Sequence, residues 1–226
     1  MVLLSGASEG SVGSEVENEN KGKISMVAQP SPRYLSVEAW RELERTSHDI
    51  KHEYIDGQVY AMSGGSLAYS RIALNVCSAL ENALVTAGKP CFVYNSDAAA
   101  RLSSRRYTYP DASVTCDERD QPTPDKTEIQ SPCVIVEVLS PSTEAYDRGE
   151  KFGYYRACPH VQEYVLIATK YQTIEVYRRT SSRWLYDAYG PGDEIELTSL
   201  DIRLPLAALY RNAGVPEALN DPEGEV

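Results

Sequence analysis

Two acidic residues sit where acids are costly. Asp111 closes Tyr109-Pro110-Asp111 beside an apolar run, and Glu137 stands in the middle of Val134-Ile135-Val136-Glu137-Val138-Leu139. Runs this rich in β-branched residues read as buried strands. A carboxylate on such a strand must be paired or neutralised. Two carboxylates brought together repel unless a proton or a hard cation intervenes. If the two strands are neighbours, both acids converge at one sheet edge and can hold Mg²⁺, with a substrate phosphate completing its shell. In the plainer alternative, Asp111 caps a turn and Glu137 pairs with an arginine.

Two further residues could join them. Lys151 follows Asp147 by one helical turn, a spacing that ordinarily gives an exposed ion pair of ~0.3–0.5 kcal/mol. It could instead reach over the sheet, where a cation orients water and stabilises charge on a phosphoryl group. Glu53, in Glu53-Tyr54-Ile55-Asp56-Gly57, is either a hairpin residue or a third carboxylate for the pocket. Other chemistries find less support. The histidines at 48, 52 and 160 lack metal-ligand spacing. Ser63-Gly64-Gly65-Ser66 lacks the lysine of a phosphate-binding loop. Ser140-Pro141-Ser142 lacks the Gly-x-Ser-x-Gly frame of a nucleophile elbow.

These residues belong to a chain of 226 residues with a formal net charge of −11. The length suits one domain with a full core. The acidity argues against a general nucleic-acid coat, which needs lysine and arginine on phosphate. A basic groove would be local, with Arg101, Arg105 and Arg106 as its best candidates. The five cysteines have no CxxC spacing and read as free thiols of a reducing cytoplasm. No signal peptide or membrane span is visible. The expectation is a soluble cytoplasmic protein.

The elements that must position the candidates follow from periodicity. Residues 1–30 are polar and predict a disordered tail, with translation beginning at Met26. Ser36 is the N-cap of a helix through about Arg45. Glu53 to Met62 reads as a hairpin turning at Asp56-Gly57. A long helix spans about Ser66–Val85, with Ala68, Ile72, Val76, Leu80 and Leu84 on one face. Strands follow at about 91–102 and 107–116, then a Pro-rich loop over 117–131 and a buried strand over 133–139. Thr143 is the candidate N-cap of a helix at about 144–157. Strands at 160–168, 173–179, 184–189 and 194–197 precede a short helix at 204–212. This order describes an α/β or α+β domain at 31–212, built on one mixed sheet, with an acidic C-terminal tail at 213–226.

Taken together, the ordered segments resemble the Uma2 family, also called DUF820. The resemblance is carried by Glu53 through Ser66, by Tyr109-Pro-Asp-Ala-Ser-Val114, and by Val134-Ile-Val-Glu-Val-Leu-Ser-Pro-Ser-Thr143. Asp147, Lys151, Tyr155 and Val161–Ile167 complete it. The family is placed in the PD-(D/E)xK nuclease superfamily. The resemblance therefore implies a restriction-endonuclease-like α/β core, a mixed central sheet flanked by helices. It maps Asp111 to the Asp of the PD motif and Glu137 to the second acid. The superfamily's lysine stands two residues after that acid, a place held here by Leu139; the resemblance makes Lys151 its replacement from the next helix, and Glu53 an added acid. It implies Mg²⁺ or Mn²⁺ between Asp111, Glu137 and the carbonyl of Val138, acting on a DNA phosphodiester. At Tyr69 and Ser70 this chain lacks a histidine that relatives often carry. A homodimer is expected, pairing through strands of the 161–197 region. The competing reading is a catalytically inactive nuclease-fold protein that serves as a binding or assembly module; −11 and Leu139 favour it.

Overall fold

The computed structural model describes residues 34–218 apart from Ser63, so the expected N-terminal tail and the start at Met26 lie outside the described residues. Helix α1 (Val37–Thr46) begins where Ser36 accepts a hydrogen bond from the Ala39 amide at 3.2 Å, as expected of its N-cap. Strands β1 (His52–Ile55) and β2 (Gln58–Ala61) form the expected hairpin. Its turn holds Asp56 at φ 51° and Gly57 at φ 100°. A Cβ on Gly57 would also lie 2.6 Å from the Tyr34 ring, so backbone angle and space both require glycine.

Helix α2 (Leu67–Thr86) starts at Ser66 and buries Ile72, Val76, Leu80 and Leu84, the stripe read from their spacing. Past it the chain departs from expectation. The two strands expected at 91–102 and 107–116 are each broken in two, giving β3 (Phe92–Asn95), β4 (Ala99–Ser103), β5 (Arg106–Thr108) and β6 (Ala112–Thr115). Strands β7 (Glu128–Ile129) and β8 (Val134–Val138) follow. Both breaks carry the chain between sheets. A five-stranded sheet has the order β2-β1-β5-β4-β7. A six-stranded mixed sheet has the order β11-β10-β9-β8-β6-β3, where β9 is Glu163–Ile167, β10 Ile174–Arg179 and β11 Trp184–Tyr189. So there are two main sheets rather than one. At Tyr109-Pro110-Asp111 the missing proline amide ends ladder pairing, and the chain changes sheets there.

Between β8 and β9 the expected single helix is three pieces: α3 (Glu144–Tyr146), a π-helical turn (Asp147–Lys151) and α4 (Phe152–Ala157). Thr143 makes no capping bond with its side chain; Ser140 Oγ, 3.2 Å from the Thr143 amide, closes this turn instead. Strands β12 (Glu194–Leu197) and β13 (Ile202–Pro205) pair, and α5 (Leu206–Leu209) ends the regular elements, so the last expected helix is shorter and preceded by a strand.

One face of the six-stranded sheet packs on α2, β13 and α5, and the other, through Tyr164, on Phe152 and Tyr155 of α4. A third cluster lies around Trp40 beneath α1. Ala213 and Val215 are buried with the first cluster, so packing runs past residue 212. Among the described residues no helix is long and apolar enough to cross a membrane.

The cysteine expectation is corrected in part. Cys91 and Cys116 form a disulfide, while Cys77, Cys133 and Cys158 are free. The β3–β6 register pairs Phe92 with Thr115, which brings the residues just outside that pair face to face, Cα atoms 4.1 Å apart. Their separation of 25 residues carries no motif; only the register reveals the pair.

Candidate active site

The seam between the two sheets collects the chemistry. Six carboxylic acids are buried among the described residues. Two are satisfied structurally. Glu163 meets Arg178 and the amides of Thr198 and Ser199. Asp120 accepts from Thr115 and from the amides of Gln130 and Ser131, pinning the loop after β6. The other four, Glu53, Asp111, Glu137 and Asp147, gather around one buried cation, Lys151.

Each arrives by a different route. Strand β1 supplies Glu53, whose Oε1 accepts from the Tyr109 amide at 3.1 Å and from Lys151 Nζ at 3.0 Å. Strand β8 supplies Glu137, whose Oε1 lies 2.9 Å from Lys151 Nζ and 2.6 Å from the Tyr155 hydroxyl. The antiparallel register pairs Ala112 with Val136, so Asp111 stands opposite Glu137 on the same side of the sheet. Its Oδ2 accepts from the Val138 amide at 2.7 Å. An extended residue directs its amide and carbonyl to the same side, so the Val138 carbonyl also faces the end of β6.

The π turn supplies Asp147 and Lys151. A turn closed from i to i+5 widens the helix, a device common at functional sites. Asp147 Oδ1 stays 3.8 Å from Nζ. The exposed i, i+4 pair is therefore not what forms. Lys151 is 6% exposed, and its nearer partners are Glu137 and Glu53.

The electrostatics follow from burial. Desolvation pushes the Asp111 carboxyl up to about 6, against the opposing pull of Tyr69 and the Val138 amide. Burial raises Glu137 well above the ordinary range, with Lys151 countering and the neighbouring acids adding to the rise. Burial likewise lifts Asp147. Burial alone would discharge Lys151, but Glu137 and Glu53 outweigh it and hold the ammonium charged. Four acids around one ammonium leave a surplus of negative charge that only protons or a further cation can offset.

Sequence reasoning left Tyr69 without a part. Its hydroxyl donates to Asp111 Oδ1, so hydrogen bonds hold both carboxylate oxygens. A Cβ on Gly65 would lie 2.4 Å from the Tyr69 ring; that glycine makes room for the ring. Tyr155, known only as part of the ordered set, anchors Glu137. The chain holds 16 tyrosines against 2 phenylalanines and 2 tryptophans, a composition that does not single out positions. The expected basic groove does not gather here: Arg105 and Arg106 turn to Asp56, and Arg101 to Gln130.

A cavity of about 480 Å³ opens over these residues, walled by Tyr60, Tyr69, Tyr109 and Tyr146 and floored by Asp111, Glu137 and Lys151. Among the described residues no three His, Cys, Asp or Glu side chains form a metal-ligating group. Where β6 meets β8, the oxygen atoms of Asp111, Glu137 and the Val138 main chain come together.

An α/β core whose mixed multi-stranded sheet is flanked by helices is restriction-endonuclease-like in fold. Residues 37–207 match the Uma2 family, described as "Putative restriction endonuclease", and the chain belongs to that family. An uncharacterised protein of Synechocystis is 40% identical over 184 residues, covering 80% of this chain and 94% of its own. A second from the same organism is 31% identical over 180 residues, covering 78% and 100%. A crystal structure from Anabaena variabilis, described as "a putative nuclease belonging to DUF820", shares the fold. It matches with a TM-score of 0.60 at 18% identity, over 76% of this chain and 96% of that one.

Proposed function

We propose that this protein is a metal-dependent DNA endonuclease that hydrolyses phosphodiester bonds at the seam between its sheets. The observation that carries the reading is Asp111 opposite Glu137, with Lys151 2.9 Å from the latter, in a buried cluster whose acids outnumber its one cation. Hard oxygen donors with surplus negative charge fit a hard divalent cation, Mg²⁺ or Mn²⁺. Asp111, Glu137 and the carbonyl of Val138 would hold it. When bound, such an ion supplies a nucleophilic water and offsets charge on the phosphate.

The chain's own residues do the rest. Tyr69 and the Val138 amide hold the Asp111 carboxylate in one orientation. Tyr155 and Lys151 do the same for Glu137. Lys151, kept charged by Glu53 and Glu137, adds positive potential where the phosphoryl group gains negative charge. Burial of the floor keeps bulk water from screening these charges.

A homodimer, suited to cutting both strands of a duplex, belongs to this reading. Edge strand β11 supports it, with Leu185 and Tyr186 exposed, and light scattering of the purified protein tests it. Cleavage of plasmid and single-stranded DNA in Mg²⁺ or Mn²⁺ tests the activity. Loss of cleavage in Glu137→Ala and Lys151→Ala is expected; unchanged activity in both overturns the site. The second reading, an inactive nuclease-fold module, draws on Lys151 being tied to two carboxylates and on the pairing of Arg105 and Arg106 with Asp56. Absence of Mn²⁺ binding by calorimetry would favour it.

A further inference from the structure

One polar atom in the cavity wall has no partner. Among the described residues only two buried side-chain polar atoms lack a hydrogen bond, Ser113 Oγ and Tyr146 Oη. Ser113 is inside β6, wholly buried and away from the cavity lining. Tyr146 lines the cavity, and its hydroxyl feels Glu53 and Lys151 before any other charges. A buried donor left unmade is costly, and proteins rarely keep one without use.

Its placement is built, not incidental. Tyr146 stands immediately before the π turn, five residues ahead of Lys151. Both residues line the cavity, so the two side chains serve the same site. The hydroxyl reaches none of the carboxylate oxygens around it, and Glu53 Oε1 already takes Lys151 and the Tyr109 amide while Glu137 Oε1 takes Lys151 and Tyr155. What the hydroxyl lacks is an acceptor that arrives with a ligand.

We propose that Tyr146 Oη donates a hydrogen bond to a non-bridging oxygen of the phosphodiester bound in this cavity, which makes Tyr146 a substrate-contacting residue. The assignment rests on the nuclease reading. It answers a difficulty of that reading, because Lys151 is held by two carboxylates within 3.0 Å and cannot alone satisfy a phosphate. A phenol adds a donor without adding charge to balance. Its bond strengthens as negative charge grows on that oxygen in the transition state. No proton is transferred, and the phenol stays neutral.

Tyr146→Phe removes only the hydroxyl. The experiment measures kcat and KM for cleavage of a single-stranded oligodeoxynucleotide and of plasmid in Mn²⁺, together with the thermal midpoint without metal. The expected result is a fall in kcat of about 10- to 100-fold, KM within a few-fold, and a midpoint unchanged or raised. Tyr177→Phe is the control: that residue lies outside the cavity lining, its hydroxyl already bonds Glu175 at 3.3 Å, and its loss should leave kcat unchanged. A Tyr146→Phe protein that cleaves like wild type overturns the assignment while the nuclease reading stands. A lowered midpoint with kcat unchanged makes the hydroxyl structural and also overturns it. Wild-type protein that cleaves neither substrate overturns both.

Discussion

Lys151 Nζ lies 2.9 Å from Glu137 Oε1 although the residue two places after Glu137, where the superfamily pattern puts a lysine, is Leu139. Leu139 is buried in the core on the α4 side of the sheet, and the ammonium comes from the π turn instead. Glu137 thus meets its cation from a different element than its own strand.

Removing that cation should cost both stability and function. Lys151→Ala leaves Glu53 and Glu137 buried without a counter-charge, and breaking buried pairs in this way costs about 3–5 kcal/mol. Glu137→Gln should cost clearly less, because Lys151 retains Glu53. Urea denaturation of both variants, analysed for midpoint and slope, gives the comparison; equal losses would contradict the central place assigned to the ammonium.

Asp111 predicts the opposite trade. Its carboxyl rises from 3.8 to about 6 on folding, so between those values the folded chain binds more protons than the unfolded one. Stability from this group therefore falls as pH rises through that window. Asp111→Asn should stabilise the fold above pH 6, on the order of 3 kcal/mol at most, and leave it little changed near pH 4. It should also abolish Mn²⁺ binding. Thermal midpoints across pH, with calorimetry at neutral pH, test both halves.

Tyr69→Phe frees one oxygen of Asp111. Loss of such an orienting partner typically weakens metal binding 10- to 100-fold, and that is the change expected in Mn²⁺ affinity. Gly65→Ala should act in the same direction without touching the hydroxyl, since its Cβ would collide with the Tyr69 ring. Affinities equal to wild type in both variants would show that Asp111 is held by the Val138 amide alone.

The disulfide gives a separate test. Closing a loop between Cys91 and Cys116, 25 residues apart, removes unfolded-state entropy worth roughly 3 kcal/mol. Cys91→Ser should lower stability by about that much, and reduction of the wild type should reproduce the loss while leaving the Lys151 contacts intact. Differential scanning calorimetry with and without a reductant is the direct measurement.

Much of this arrangement was legible in the residues. The α2 stripe, the Asp56-Gly57 hairpin and the buried β8 run declare themselves through period and turn chemistry, and Asp111 and Glu137 stand out because acids rarely occupy such strands. The break at Pro110 was visible as a proline, but not as a passage between two sheets, because pairing partners are far off in sequence. Lys151 looked like an ordinary helix-surface lysine, since an α-helical spacing hides the π turn that redirects it. Tyr69, Tyr146 and the Cys91–Cys116 pair depend on register and on ring packing, which no local pattern encodes.

The crowding of four acids around one ammonium has a consequence for calorimetry. Glu137 is raised well above its usual range and Asp111 to about 6, so in mildly acidic solution a divalent ion entering the seam must expel hydrogen ions into the buffer. Titration heats recorded in two buffers of different ionisation enthalpy should then diverge, and the gap between them counts the protons released.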